Sequence, residues 1–413
     1  MDKRILIVGT FDTKNDELRF VADVIGAEGG GTLTMDVSVL GEPKAPTDFS
    51  KHDVAEAAGS SIAAAIAGVN ENFAMQIMAR GAATLVARLH AEGRFDGVIV
   101  LGGSMGTDLA LDVCAALPLG VPKYVVSTIS FSPLIPPGRV PADVQMILWA
   151  GGLYGLNSIC RATLSQAAGA VLGAARAVRM PGRARNIVAM SGFNSAVVNY
   201  MIALKPALEA RGFEVAVFHG TGMGGRALES LAAQGTFACV MDFAPQEVAN
   251  HLFGSAISAG ADRLTNAGRR GVPQMVSTGC LDLVDLAGWQ PVPEAFRDVP
   301  SHAHNRLLTT VLQSPDQRRA VAREVCAKLA TATGPVVFLL PSRGGHCWDR
   351  AGGPLADATG LAAFCDEMRL HCPANVNLID LDAHLNDPVF AETALAVFDD
   401  WLADGTIPRV SSL

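Results

Sequence analysis

The chain has 413 residues, half of them apolar and only 17% charged, with a net charge of −8. That composition excludes a disordered chain, and the length calls for two or three domains with substantial buried cores. Divided at residue 182, the halves carry 14 basic and 17 acidic residues (net −3) and 18 and 23 (net −5). Neither offers the basic footprint that a phosphate backbone requires, so no nucleic-acid partner is expected.

Arg4-Ile5-Leu6-Ile7-Val8-Gly9 is a short continuous apolar run, the pattern of a strand buried on both faces of a parallel sheet. A polar turn follows, then Leu18, Val21, Ala22 and Ile25 at helical spacing, closed by Gly29-Gly30-Gly31. Residues 32–37 read as the next strand, completing a βαβ unit. Two Ala-rich helices, 53–68 and 71–91, precede a strand at 97–101, a helix to about residue 117 and a strand at 123–127. A Pro-rich loop at 133–141 breaks the rhythm, and a Gly/Ala-rich helix runs from about 155 to 178. Met180-Pro181-Gly182-Arg183 reads as a linker.

A second α/β unit opens at Asn186-Ile187-Val188-Ala189-Met190, with a helix around 195–210. Further strands are expected at 214–218, 238–241, 273–277, 335–340 and 376–381. The expected fold is therefore α/β: two Rossmann-like doubly wound domains with mainly parallel sheets, 1–182 and 183–413, and a ligand cleft between them.

No run of about 18 uncharged apolar residues exists, so no membrane partner is expected. The opening apolar run is too short for a signal peptide. Eight Cys without C-x-x-C spacing, mostly in apolar segments, read as reduced thiols of a cytoplasmic protein.

Two loops suit a phosphorylated ligand. The first, Gly9-Thr10-Phe11-Asp12-Thr13-Lys14, lies between strand and helix, where free helix N–H groups meet two hydroxyls and a mobile cation. It lacks the second glycine of a P-loop. A plain turn with Thr13 as N-cap fits it equally well. The second is Gly102-Gly103-Ser104-Met105-Gly106-Thr107, whose glycines let backbone approach a ligand and whose Ser104 and Thr107 add hydroxyls. Ser127-Thr128 ends the neighbouring strand and reads as the rim.

The second half carries a different set. His219-Gly220-Thr221-Gly222-Met223-Gly224-Gly225-Arg226 follows a strand, and its four glycines, His and Arg suit an anionic or carbonyl ligand. Further polar groups are Asp282, His302, His304, Arg343, His346 and His384. If His219, Asp282, His302 and His304 converge, they form a metal or acid/base group. Arg226 would bind an anionic substrate, His219 would act as general acid or base, and Asp282 or His304 would orient it.

These residues carry a resemblance. Gly9–Lys14, Gly102–Thr107, Gly155-Leu156-Asn157-Ser158-Ile159-Cys160-Arg161, Phe218–Arg226, His304-Asn305 and Asn386-Asp387-Pro388 occur in the same order in one family. The chain resembles the ATP-binding family named for a plant protein of resistance to tomato mosaic virus, most of whose members are microbial proteins of an uncharacterised family. The resemblance implies two Rossmann-like domains, ATP held by the first, and dimerisation. Met105 stands where the family commonly has Gly, and Ile129-Ser130-Phe131 replaces Ala-Ser-Gly, so another phosphorylated ligand is an open alternative. Three functional classes follow: a nucleotide-binding module, a hydrolase- or lyase-type enzyme acting on an oxygenated anion, and a protein-interaction scaffold. A homodimer or higher homo-oligomer is expected, with the Gly/Ala-rich helix near the contact.

Overall fold

The computed structural model describes residues 2–68, 70–179, 186–192 and 196–408. Two compact units divide the chain, Met1–Gly182 and Arg183–Leu413. The expected linker, Met180 to Arg183, lies outside the described residues.

The first unit contains β1 (Arg4–Gly9), α1 (Asn15–Ala27), β2 (Gly31–Asp36), α2 (Lys51–Ala57), α3 (Ile62–Ile66), α4 (Glu71–Ala91), β3 (Gly97–Gly102), α5 (Ser104–Ala115), β4 (Lys123–Ser127), β5 (Val144–Leu148) and α6 (Ser158–Ala177). Its sheet has the order β2-β1-β3-β4-β5 and is parallel throughout. Strand alternation divides the core into two layers. Ile5, Ile7, Ile99 and Leu101 pack under α1 and α6, whereas Leu6, Val8, Val98 and Val100 pack under α2, α4 and α5. The sheet is therefore doubly wound, and the chain reverses direction between β1 and β3. Ligands of such sheets bind outside the carboxyl ends of the strands at that reversal.

Two expected elements differ. The helix expected at 53–68 is two short helices, because Gly59 takes φ +68 and Ser61 caps a new start. Strand β5 was not foreseen; it is an edge strand with two of its five residues exposed and none fully buried, and it follows the Pro-rich loop. The apolar face of α6 (Leu164, Ala167, Ala168, Val171) is used within its own unit.

The second unit contains β6 (Ile187–Gly192), α7 (Asn199–Glu209), β7 (Glu214–His219), α8 (Met223–Ala233), β8 (Cys239–Asp242), α9 (Glu247–Leu252), α10 (Asn266–Arg269), β9 (Gln274–Val276), β10 (Leu283–Ala287), β11 (Ser301–Ala303), β12 (Leu308–Leu312), α11 (Pro315–Leu329), β13 (Val336–Pro341), α12 (Ala358–His371), β14 (Val376–Leu381) and α13 (Pro388–Ala403). Its main sheet, β14-β13-β9-β8-β6-β7, is parallel throughout. Helices α7 and α13 cover one face, and α9, α11 and α12 the other. A small antiparallel sheet, β10-β12-β11, is inserted after β9 and was not foreseen. Six of the eight cysteines are buried, Cys372 is half-buried and Cys347 is exposed; all are free thiols. Among the described residues, no helix is long and apolar enough to cross a membrane.

Candidate functional site

A pocket of about 690 Å³ opens in the first unit where β1 and β3 end. The turn Gly9–Lys14 and the loop Gly102–Gly106 contribute to its lining, together with Val39, Leu40, Ala65, Ile66, Met75 and Met78 and the polar Asn70 and Glu71. Leu40 is 80% exposed, Ile66 54% and Met105 47%, so the pocket holds apolar surface that the fold itself does not cover.

The turn after β1 is held from below. Asp36, buried at the end of β2, accepts hydrogen bonds from the Phe11 N–H (3.0 Å) and from the N–H and hydroxyl of Ser38 (3.0 and 2.7 Å). Asp12 accepts from the Gly41 N–H at 3.2 Å and draws segment 37–41 over the pocket. Above the turn, the Thr10 and Thr13 hydroxyls lie 3.0 Å apart, and Lys14 Nζ stands 3.4 Å from each. Thr13 does not cap α1; Lys14 occupies the N-cap position, and no side chain caps this end.

The second loop is tighter. A Cβ at Gly102 would stand 2.5 Å from Gly106 Cα, so this glycine permits the close crossing of β3 and α5. The N-cap of α5 is Gly103, with no side-chain cap and no acidic residue in the first turn. Helices α2, α3, α4 and α6 are all capped by Ser or Asn, and α1 carries Asp16 and Glu17 in its first turn. Among the described helices of this unit, α5 alone presents a bare positive end, and it does so into the pocket.

The other expected residues of this loop face inward. Thr107 is buried, donates to the Gly103 carbonyl (2.7 Å) and pairs with the Ser127 hydroxyl (2.6 Å), which also accepts from the Ile129 N–H. Thr128 uses its N–H on the Gly102 carbonyl at 3.3 Å. Thr107, Ser127 and Thr128 fix the loop to β4 and do not line the pocket.

In the second unit the expected quartet does not form one cluster: His219 lies near His304, whereas Asp282 and His302 have other partners. His219 ends β7, and its imidazole is held below the ordinary value by partial burial and by His304 nearby, against the pull of Asp285. Asp285, which sequence reasoning missed, lies mid-strand in β10; burial pushes its carboxyl up, and Thr310 donates to it at 2.7 Å. His302 stacks on Trp348 with ring centroids 4.5 Å apart. Asp282, expected to orient His219, instead meets His346 Nε2 at 3.1 Å and Arg318 at 3.6 Å.

The glycines of the His219 loop have an internal explanation. The buried Glu247 carboxylate accepts from the Gly222 and Gly225 N–H groups (2.7 and 3.0 Å) and so occupies the start of α8 that an anionic ligand was expected to take. A Cβ at Gly225 would collide with that carboxylate, and Gly222 takes φ +86. Arg226 is paired with Asp262 at 2.9 Å rather than left for a substrate, and exposed Arg343 is paired with Asp382. Glu247 is held in turn by fully buried Arg263 (2.7 Å), whose guanidinium also binds Asp242 and approaches Glu229 at 3.4 Å. Burial pushes the Glu229 carboxyl up to about 7, although Arg263 pulls the other way.

Two units built on parallel sheets, the first doubly wound with a largely apolar pocket at its strand ends, make this a two-domain α/β protein of the Rossmann-like kind. The chain belongs to the uncharacterised protein family UPF0261: the family's N-terminal domain matches residues 3–180 and its C-terminal domain residues 185–402. It is 54% identical to a UPF0261 protein of Brucella melitensis over 98% of this chain and 97% of that protein. A UPF0261 protein of Clostridium tetani is 33% identical over 95% of this chain and 97% of its own length. The tomato (Solanum lycopersicum) ToMV resistance protein Tm-1(GCR237) is 28% identical over 96% of this chain, which spans 55% of the plant protein.

Proposed function

We propose that the first unit binds a nucleotide, ATP being the first candidate, with its phosphates on the α5 N-terminus and its base against Leu40, Ile66 and Met75. The observation that carries this reading is the bare end of α5 opening into a pocket whose lining is largely apolar. Phosphate gains from the Ser104, Met105 and Gly106 N–H groups, from the helix dipole and from Lys14. Leu40, Ile66 and Met75 offer a flat base the apolar contact it needs. Charged lining residues are one cation, Lys14, and two carboxylates, Asp12 and Glu71. A magnesium–nucleotide complex therefore suits the pocket better than the free tetra-anion.

Titration calorimetry of the full chain with ATP, AMP and inorganic phosphate, with and without magnesium, tests this. ATP binding tighter than either fragment supports a site that holds both phosphates and base. Phosphate binding as tight as ATP would replace the nucleotide with a smaller phosphorylated ligand. No heat from any of the three would remove the proposal.

A further inference from the structure

We infer that the second unit binds a divalent first-row transition cation, of the Mn²⁺ or Zn²⁺ kind, on Asp282, His346 and Asp349. Three adjacent strands of its sheet, β9, β13 and β14, end at one edge, and the loops that follow them converge there. Asp282 comes from the first loop, His346 and Asp349 from the second, and His384 from the third. One donor atom from each of Asp282, His346 and Asp349 lies within 4.8 Å of the others. His346 Nε2 is 3.1 Å from Asp282 Oδ2 and 3.9 Å from Asp349 Oδ2. Donors bound to one cation at about 2.1 Å stand roughly 3–3.5 Å apart, so the set closes on an ion with small side-chain movements. Two carboxylates and one imidazole suit Mn²⁺ or Zn²⁺ better than Ca²⁺, whose ligands are oxygens.

The surrounding groups hold these donors in place. Asp349 accepts from the Gly345 N–H at 2.6 Å and from His384 Nε2 at 2.9 Å. The Asn386 N–H fills His384 Nδ1 at 2.9 Å, which puts the proton of the neutral ring on Nε2, facing the carboxylate. Partners of this kind fix a ligand's orientation at metal centres. Charge agrees as well. Asp282, Asp349 and Asp357 bring three negative charges, Arg318 bridges Asp282 and Asp357 with one positive charge, and a dication balances the remainder. A second observation points the same way. His346 is fully buried with Nε2 as the ring nitrogen toward both carboxylates, and among the described residues the buried Thr278 hydroxyl, which faces Gly345 of the same loop, has no hydrogen-bond partner. Orphaned polar atoms beside a donor cluster mark a place where the protein's own bonding is incomplete.

The test uses full-length protein stripped with a chelator and titrated with MnCl₂, the free ion followed by electron paramagnetic resonance, and with ZnCl₂ in competition. A single cation per chain is expected. His346→Gln and Asp349→Asn should weaken it at least tenfold and His384→Gln by about 10–100-fold, while His251→Gln, a histidine elsewhere in the unit, should leave it unchanged. Binding absent at millimolar metal, or equal in all variants, overturns the assignment and leaves an ion pair between His346 and Asp282. Should the variants fail to fold, anomalous diffraction from wild-type crystals soaked in manganese decides: a peak beside His346 Nε2 upholds the site, and a peak elsewhere or none rejects it.

Discussion

Replacing Lys14 by alanine tests the phosphate site with little disturbance to the fold. Lys14 Nζ contacts only the Thr10 and Thr13 hydroxyls, both at 3.4 Å, and among the described residues no carboxylate lies within ion-pair distance of it. With no ion pair to lose, its removal should cost under about 0.5 kcal/mol of stability. In a complex the ammonium would make a charge-assisted hydrogen bond to a phosphate oxygen. Its loss should weaken binding by about 1.5–3 kcal/mol, or roughly 10- to 150-fold in dissociation constant. Calorimetric titration with ATP, alongside thermal unfolding of both proteins, measures the two quantities separately. Equal ATP affinity in wild type and Lys14→Ala would refute the reasoning, as would a melting temperature that falls while affinity holds.

Three further outcomes are expected. Gly102→Ala places a Cβ against the Gly106 backbone, so it should cost about 1–3 kcal/mol and weaken ATP binding by displacing the α5 terminus; thermal melts and titration check both. Glu229 binds its proton up to about pH 7 when folded, against 4.5 ordinarily; its contribution is therefore full below pH 4.5 and is lost as pH rises through 7, a change on the order of 3 kcal/mol. Glu229→Gln, measured by denaturant unfolding across that range, should flatten the fall, and an unchanged slope would contradict the assignment. The weakly charged α6 leads us to propose a dimer, and sedimentation giving only a 43.0 kDa species at micromolar concentration would exclude it.

Most of the parallel strands were legible as short apolar runs, the central ones β1, β3, β8 and β13 almost entirely buried. The strands that escaped lack that mark: β5 has no fully buried residue, and β10 carries Asp285 in its middle. In the first unit the loops bounding the pocket could be named from their glycines and their place after strands. Which hydroxyls face a ligand could not, because Thr107 turns inward through a rotamer choice that pairs it with Ser127, twenty residues away. Asp36 was missed for a related reason: a carboxylate at a strand end reveals its partners, Phe11 and Ser38, only once β1 and β2 are paired. The second unit misled most at Gly222–Gly225. A glycine-rich turn looks the same whether it cradles an external anion or the chain's own Glu247. Asp282, His346 and His384 lie on three separate loops, and only the order β14-β13-β9 brings those loops together.

A crystal structure of the full chain with a non-hydrolysable ATP analogue and magnesium tests the central claim most directly. Phosphate oxygens are expected within hydrogen-bond distance of the Ser104, Met105 and Gly106 N–H groups, with Lys14 turned toward them and the base on Leu40 and Ile66. Clear density for the analogue anywhere else, or a pocket still without nucleotide at saturating concentration, would contradict it.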